Sequence, residues 1–154
     1  MPNTSHPKHI TEILRLAHIA LAKREVPIGA IVVDKNGIII GRGYNQTHTK
    51  KDGLMHAELV AIKQAQKKLG DWRLDGASLY VTVEPCLMCL GAIGNARVEN
   101  VYYLLADSLF GSVESKLNKS QVRKMFPKLK CQKLKDDGTV GGLMKGFFQS
   151  LRKR

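Results

Sequence analysis

Gly29-Ala30-Ile31-Val32-Val33-Asp34-Lys35-Asn36-Gly37-Ile38-Ile39-Ile40-Gly41 is the stretch that decides the fold. Two apolar runs flank an Asn-Gly pair. Asn and Gly both tolerate the positive φ that a tight reversal needs, so this pattern is the strongest short-range hairpin signal. The unbroken run 29–33 reads as a buried strand, and 38–41 as its antiparallel partner. Upstream, residues 8–24 place Ile10, Ile13, Leu14, Ala17, Ala20 and Leu21 at helical spacing, and Pro27 closes that helix.

Downstream the pattern alternates. Residues 45–54 are polar and expected to form a loop. A helix is expected from about His56 through Leu59, Ile62, Ala65 and Leu69, with Gly70 as its stop. Ser78-Leu79-Tyr80-Val81-Thr82-Val83 reads as a strand. Pro85 suits the first turn of the next helix, where a missing N–H costs nothing, and that helix should run to about Ala96. Val101-Tyr102-Tyr103-Leu104-Leu105 reads as a further strand. Residues 113–126 are expected to be helical, 129–134 a weak strand, Asp136-Asp137-Gly138 a turn, and 140–152 a last helix. A hairpin followed by alternating helices and strands predicts an α/β fold. The expected form is a three-layer α/β/α domain with a mixed five-stranded sheet, filling 1–154 as one domain.

Composition excludes several classes. No apolar run is long enough for a bilayer-spanning helix. The polar start, Met1-Pro2-Asn3-Thr4-Ser5-His6, lacks the hydrophobic stretch of a secretory signal. Three cysteines make no disulfide framework. A cytoplasmic location is expected, since thiolates that bind metal must stay reduced. The charge is lopsided. Residues 116–154 hold 12 of the 25 Lys and Arg but only two acids, Asp136 and Asp137. That basic C-terminal segment reads as a surface for polyanions or as a solvated lysine-rich face.

The chemistry lies in His56-Ala57-Glu58 and Glu84-Pro85-Cys86-Leu87-Met88-Cys89. Cys86 and Cys89 are three apart, so one helical turn puts both sulfurs on one face. Each sits near a helix start, where backbone N–H groups and the helix dipole favour a thiolate. One imidazole and two thiolates can hold zinc with its fourth position open to water, the pattern of catalytic rather than structural sites. Two residues along a regular helix is about 200° of rotation. Glu58 is therefore expected beside the ligand set of His56, Cys86 and Cys89, as a proton carrier. Cys131, with no close cysteine partner, is expected to be ordinary packing.

These motifs, in this order, resemble the cytidine/deoxycytidylate deaminase superfamily, and most of all its bacterial tRNA-specific adenosine deaminases. The similarity extends to Arg24-Glu25-Val26-Pro27-Ile28-Gly29-Ala30, Gly43-Tyr44-Asn45, Trp72-Arg73-Leu74 and Phe147-Phe148 with Leu151-Arg152. It spans about residues 10–152 and is most specific over 24–112. The resemblance implies a cytidine deaminase-like fold and one zinc per chain at His56, Cys86 and Cys89. It also implies proton transfer by Glu58 and a homodimer. Substrate contacts are implied for Asn45, for Ile28 lining the base pocket, and for Asp107 facing the neighbouring nucleotide. The implied reaction is hydrolytic conversion of adenosine to inosine at the wobble position of tRNA, the basic segment neutralising phosphates. The chain departs from the pattern at Met55, at Gly94-Asn95-Ala96, at Leu104-Leu105-Ala106 and at Leu109-Phe110. An apolar Leu109-Phe110 also suits a deaminase of a free base or nucleoside, of cytosine or guanine type. A nucleic-acid-binding module with structural zinc is the third reading, but it leaves Glu58 without a task.

Overall fold

The computed structural model describes residues 6–153. The expectation about the polar start falls mostly on residues 1–5, outside the described residues. Five strands form one mixed sheet in the order β2-β1-β3-β4-β5. They are β1 (Gly29–Val33), β2 (Ile39–Tyr44), β3 (Ser78–Val83), β4 (Asn100–Leu105) and β5 (Lys130–Lys133). β1 is antiparallel to β2 and β3, while β3, β4 and β5 run parallel. The helices are α1 (His6–Ala22), α2 (Thr47–Lys50), α3 (Ala57–Leu69), α4 (Leu87–Asn95), α5 (Lys119–Met125) and α6 (Thr139–Arg152).

Strand periodicity builds two cores. Ala30, Val32, Leu79, Val81, Val101 and Tyr103 point to one face and pack with α3, α4 and Val122 of α5. Ile31, Val33, Tyr80 and Leu104 point to the other, against Ile13 and Leu16 of α1 and Val140 of α6. Successive side chains of a strand face opposite ways, so a sheet covered on both sides favours the unbroken apolar run seen at 29–33 and the mostly apolar 78–83, in which Thr82 is buried. The result is the expected three-layer α/β/α arrangement.

The structure adjusts several local expectations. The hairpin forms, but its reversal is wider than a two-residue turn. Asp34 accepts the amides of Asn36 and Ile38 through Oδ1, at 2.8 and 3.0 Å. Gly37 takes a left-handed φ of 84° while Asn36 does not. An aspartate that holds its own turn competes successfully with the Asn-Gly geometry. The polar segment 45–54 is not all loop, since it contains α2. Pro85 lies before α4 rather than in its first turn, because Cys86 is the N-cap. The helix expected over 113–126 shrinks to α5, opened by a reciprocal cap between Asn118 and Gln121. Gly70 ends α3 in the left-handed conformation, as expected. Gly94 has a packing reason: an added Cβ would collide with the Phe126 ring. Cys131 is half-buried on β5 opposite Val101 and packs against the core. Among the described residues, no helix is long and apolar enough to cross a membrane.

Candidate active site

β2, β3 and β4 all end at one edge of the sheet, where β1 begins, as the pairs Gly29↔Tyr44 and Val83↔Leu105 fix. The residues just beyond those ends therefore meet: Ile28 before β1, Asn45 after β2, Glu84 after β3 and Asp107 after β4. Open α/β sheets place ligands at such an edge. A cavity of about 670 Å³ lies there, and Ile28, Asn45, His56, Glu58, Cys86 and Asp107 all line it. Cys89 is buried beneath it.

The helix starts aim the donors. His56 is the N-cap of α3 and Cys86 the N-cap of α4, both with extended backbone. N-caps are usually short polar residues that bond the next turn's amides. Neither His56 nor Cys86 makes such a bond, which leaves imidazole and thiol for another partner. The orphan amide of Ala57 is instead taken by Asn45 Oδ1 at 2.9 Å. Cys89, three residues into α4, shares a turn with Cys86.

The donor atoms of His56, Cys86 and Cys89 lie within 4.8 Å of one another. His56 Nδ1 is 3.6 Å from Cys86 Sγ and 3.5 Å from Cys89 Sγ. A tetrahedral ion with Zn–S of about 2.3 Å and Zn–N of about 2.1 Å sets these atoms about 3.6 Å apart. The group fits zinc in chemistry and in spacing, and it can hold a metal ion. The Cys86 thiol is held down to about 4, first by a hydrogen bond from Cys89 and then by His56. Cys89 is pushed upward by that same bond and by burial.

Four carboxylates line the cavity, Asp107 and three glutamates, and the surroundings of the glutamates separate them. Glu25 accepts the amides of His48 and Thr49 and the Thr49 hydroxyl, at 3.1, 2.7 and 2.6 Å, and so holds α2. Glu84 accepts the amides of Asp107, Val113, Glu114 and Ser115 and the Ser115 hydroxyl. Burial alone would raise both carboxyls, but these donors outweigh it and hold both below the ordinary carboxylate value. Glu58 differs. Burial first, and then the charge of Cys86, push its pKa upward, against its own amide, His56 and the Cys89 thiol. It stands outside the three-donor group. The 200° rotation expected between His56 and Glu58 does not apply, because His56 is an extended cap rather than a helical residue.

Asn45 and Asp107 reach the cavity, yet each spends an oxygen on the fold. Asp107 Oδ1 accepts the amides of Leu109 and Phe110 at 3.0 and 3.2 Å. Glu25 and Glu84 are absent from the sequence-based site. Only Glu84 carries a local signal, its place directly before Pro85-Cys86.

The MafB19-like deaminase family model matches residues 4–152. A tRNA-specific adenosine deaminase of Rickettsia bellii is 40% identical over 144 residues, covering 92% of this chain and 98% of that one. A solved tRNA:A34 deaminase, studied for A-to-I editing at the wobble position, superposes with a TM-score of 0.83 at 34% identity. It spans 90% of this chain and 99% of its own. The guanine deaminase of Bacillus subtilis, 31% identical, superposes with a TM-score of 0.64 over 97% of this chain and 94% of its own. A family model matched over nearly the full length and a relative this similar across both chains place the protein in the MafB19-like deaminase family, among the relatives named tRNA-specific adenosine deaminases.

Proposed function

We propose that this deaminase is zinc-dependent and converts adenosine to inosine at the wobble position of tRNA, with one zinc per chain. The observation that carries the reading is the three-donor group at zinc spacing beside the buried Glu58 carboxylate in one cavity. His56, Cys86 and Cys89 would hold the ion. Zinc bound there would lower the pKa of a water towards about 7. The water oxygen adds to the base carbon that bears the amine while Glu58 carries one water proton to the adjacent ring nitrogen. Glu58 then carries the second proton, from the added hydroxyl, to the amine, and the C–N bond breaks as the carbonyl forms and ammonia leaves. Glu25 and Glu84 are saturated with donors and are poor proton carriers. A closed structural zinc site takes four protein ligands, and the described residues bring three together here.

The tRNA substrate is supported by the names of the similar proteins and by charge. Lys119, Arg123, Lys124, Lys128, Lys130 and Lys133 are all exposed on and around α5 and β5. Such a surface suits phosphate neutralisation. Ile28, Asn45 and Asp107 are assigned as substrate contacts because they line the cavity. We further assign one deaminase domain, a homodimer and a reducing cytoplasmic setting.

The test is incubation of zinc-loaded protein with tRNA carrying adenosine at the wobble position, followed by sequencing for inosine. Inosine is expected. Its absence, with ammonia released instead from guanine or cytosine, would replace this substrate by a free base.

A further inference from the structure

Residues 106–110 form one wall of the cavity, and little packing holds them. Leu109 and Phe110 are each 70% exposed. Val113 is the one anchor of the longer segment 106–115 in the main core. What fixes the segment is the end of β3. Glu84 is itself only 3% exposed. Its Oε1 accepts the Asp107 amide at 3.0 Å and the Ser115 hydroxyl at 2.5 Å. Its Oε2 accepts the amides of Val113, Glu114 and Ser115 at 3.0, 2.8 and 3.0 Å. The carboxylate thus grips both ends of the segment. Next to it, the Ser112 amide and hydroxyl both donate to the Pro85 carbonyl at 2.9 Å, and Cys86 forms a bridge with Gly111. The segment approaches so closely that a Cβ on Gly111 would overlap the Glu84 carboxyl. Glu84 lies two residues before Cys86, so one strand end places both a metal-ligand candidate and the facing wall.

We propose that Glu84 is a positioning residue for substrate binding: by clamping 107–115 onto the end of β3 it sets the width of the base cavity and the placing of Asp107, Leu109 and Phe110. The inference rests on the deaminase reading of this cavity. Glu84 takes no part in proton transfer, since every oxygen already faces donors. Loss of the clamp weakens substrate binding more than it slows the chemical step, because Glu58 and Cys89 lie in α3 and α4, and His56 and Cys86 cap those helices.

Two variants test it. Glu84→Gln puts an NH2 against backbone donors, and Ser115→Ala removes one hydroxyl with little risk to folding. Expected for Glu84→Gln is faster hydrogen exchange of the amides of 107 and 113–115 and a KM for tRNA raised about tenfold or more. Zinc content should be unchanged and kcat within about threefold. Ser115→Ala should show the same pattern, smaller. Amide protection that is unchanged in Ser115→Ala and in any folded Glu84→Gln overturns the proposal, whatever the substrate. So does a fall in kcat at constant KM. If the unmodified protein makes no inosine from tRNA, the substrate reading falls alone. The KM comparison then moves to whichever free base releases ammonia, and the exchange result stands by itself.

Discussion

Asn45 Oδ1 accepts the amide of Ala57 at 2.9 Å, joining the end of β2 to the first turn of α3 between His56 and Glu58. Both residues are buried. The contact replaces the cap that His56 cannot supply while its imidazole faces the two cysteines. Asn45→Ala leaves a buried N–H unsatisfied, at a cost of about 1–3 kcal/mol. Asn45→Asp keeps the acceptor but loses the amide's donors. If that NH2 group binds substrate, Asn45→Asp should unfold near the wild-type temperature while its KM rises, whereas Asn45→Ala should lose both. Calorimetry with steady-state kinetics separates the two roles, and normal KM in Asn45→Asp would remove the substrate contact.

Glu58→Ala should retain metal and lose turnover. General acid–base groups contribute about 10²- to 10⁴-fold, and a carboxylate used at several proton transfers belongs at the upper end. Glu58 lies outside the three-donor group, so zinc content per chain should stay at the wild-type value by elemental analysis. Surviving activity would show that another group carries the proton.

Removal of the metal is expected to act on stability as well as on rate. Without an ion, two buried or half-buried thiols and an imidazole crowd one site. Dialysis against a chelator should abolish deamination and lower the melting temperature, and stoichiometric zinc should restore both. Cys89→Ala should behave as the chelated protein and resist rescue. A Cys89→Ala variant that still binds zinc one-to-one would contradict the ligand set.

Glu25 gives the protein an acid limb. Its carboxyl is buried, and burial opposes its charge. The Thr49 hydroxyl and the amides of Thr49 and His48 more than offset that, holding its pKa below the ordinary 4.5. A group depressed in the folded state contributes its full stability above the unfolded pKa and loses it as pH falls through the folded value. The contribution should therefore be complete above about pH 5 and decline below the ordinary value of 4.5. Glu25→Gln should be less stable at neutral pH, with the gap to wild type closing as pH is lowered. Melting curves from pH 7 down to about pH 3 check this, and a gap independent of pH would place the loss in packing instead.

Much of the molecule was legible before any coordinates. The apolar run 29–33 and the largely apolar, β-branched 78–83 declare buried strands because a strand covered on both faces has little place for polar alternation. Gly70 declares a helix stop because few other residues accept its left-handed backbone. His56, Cys86 and Cys89 declare a metal site because imidazole and thiolate in that order have few other joint uses. These are local matters of side-chain chemistry and short-range spacing. Strand order, the convergence of β2, β3 and β4 on one edge, and the separation of the three cavity glutamates into two clamps and one buried acid were decided by tertiary structure. A carboxylate's part depends on which amides reach it. Those of His48 and Thr49 at Glu25, and those of Asp107 and 113–115 at Glu84, come from segments more than 20 residues away in the chain.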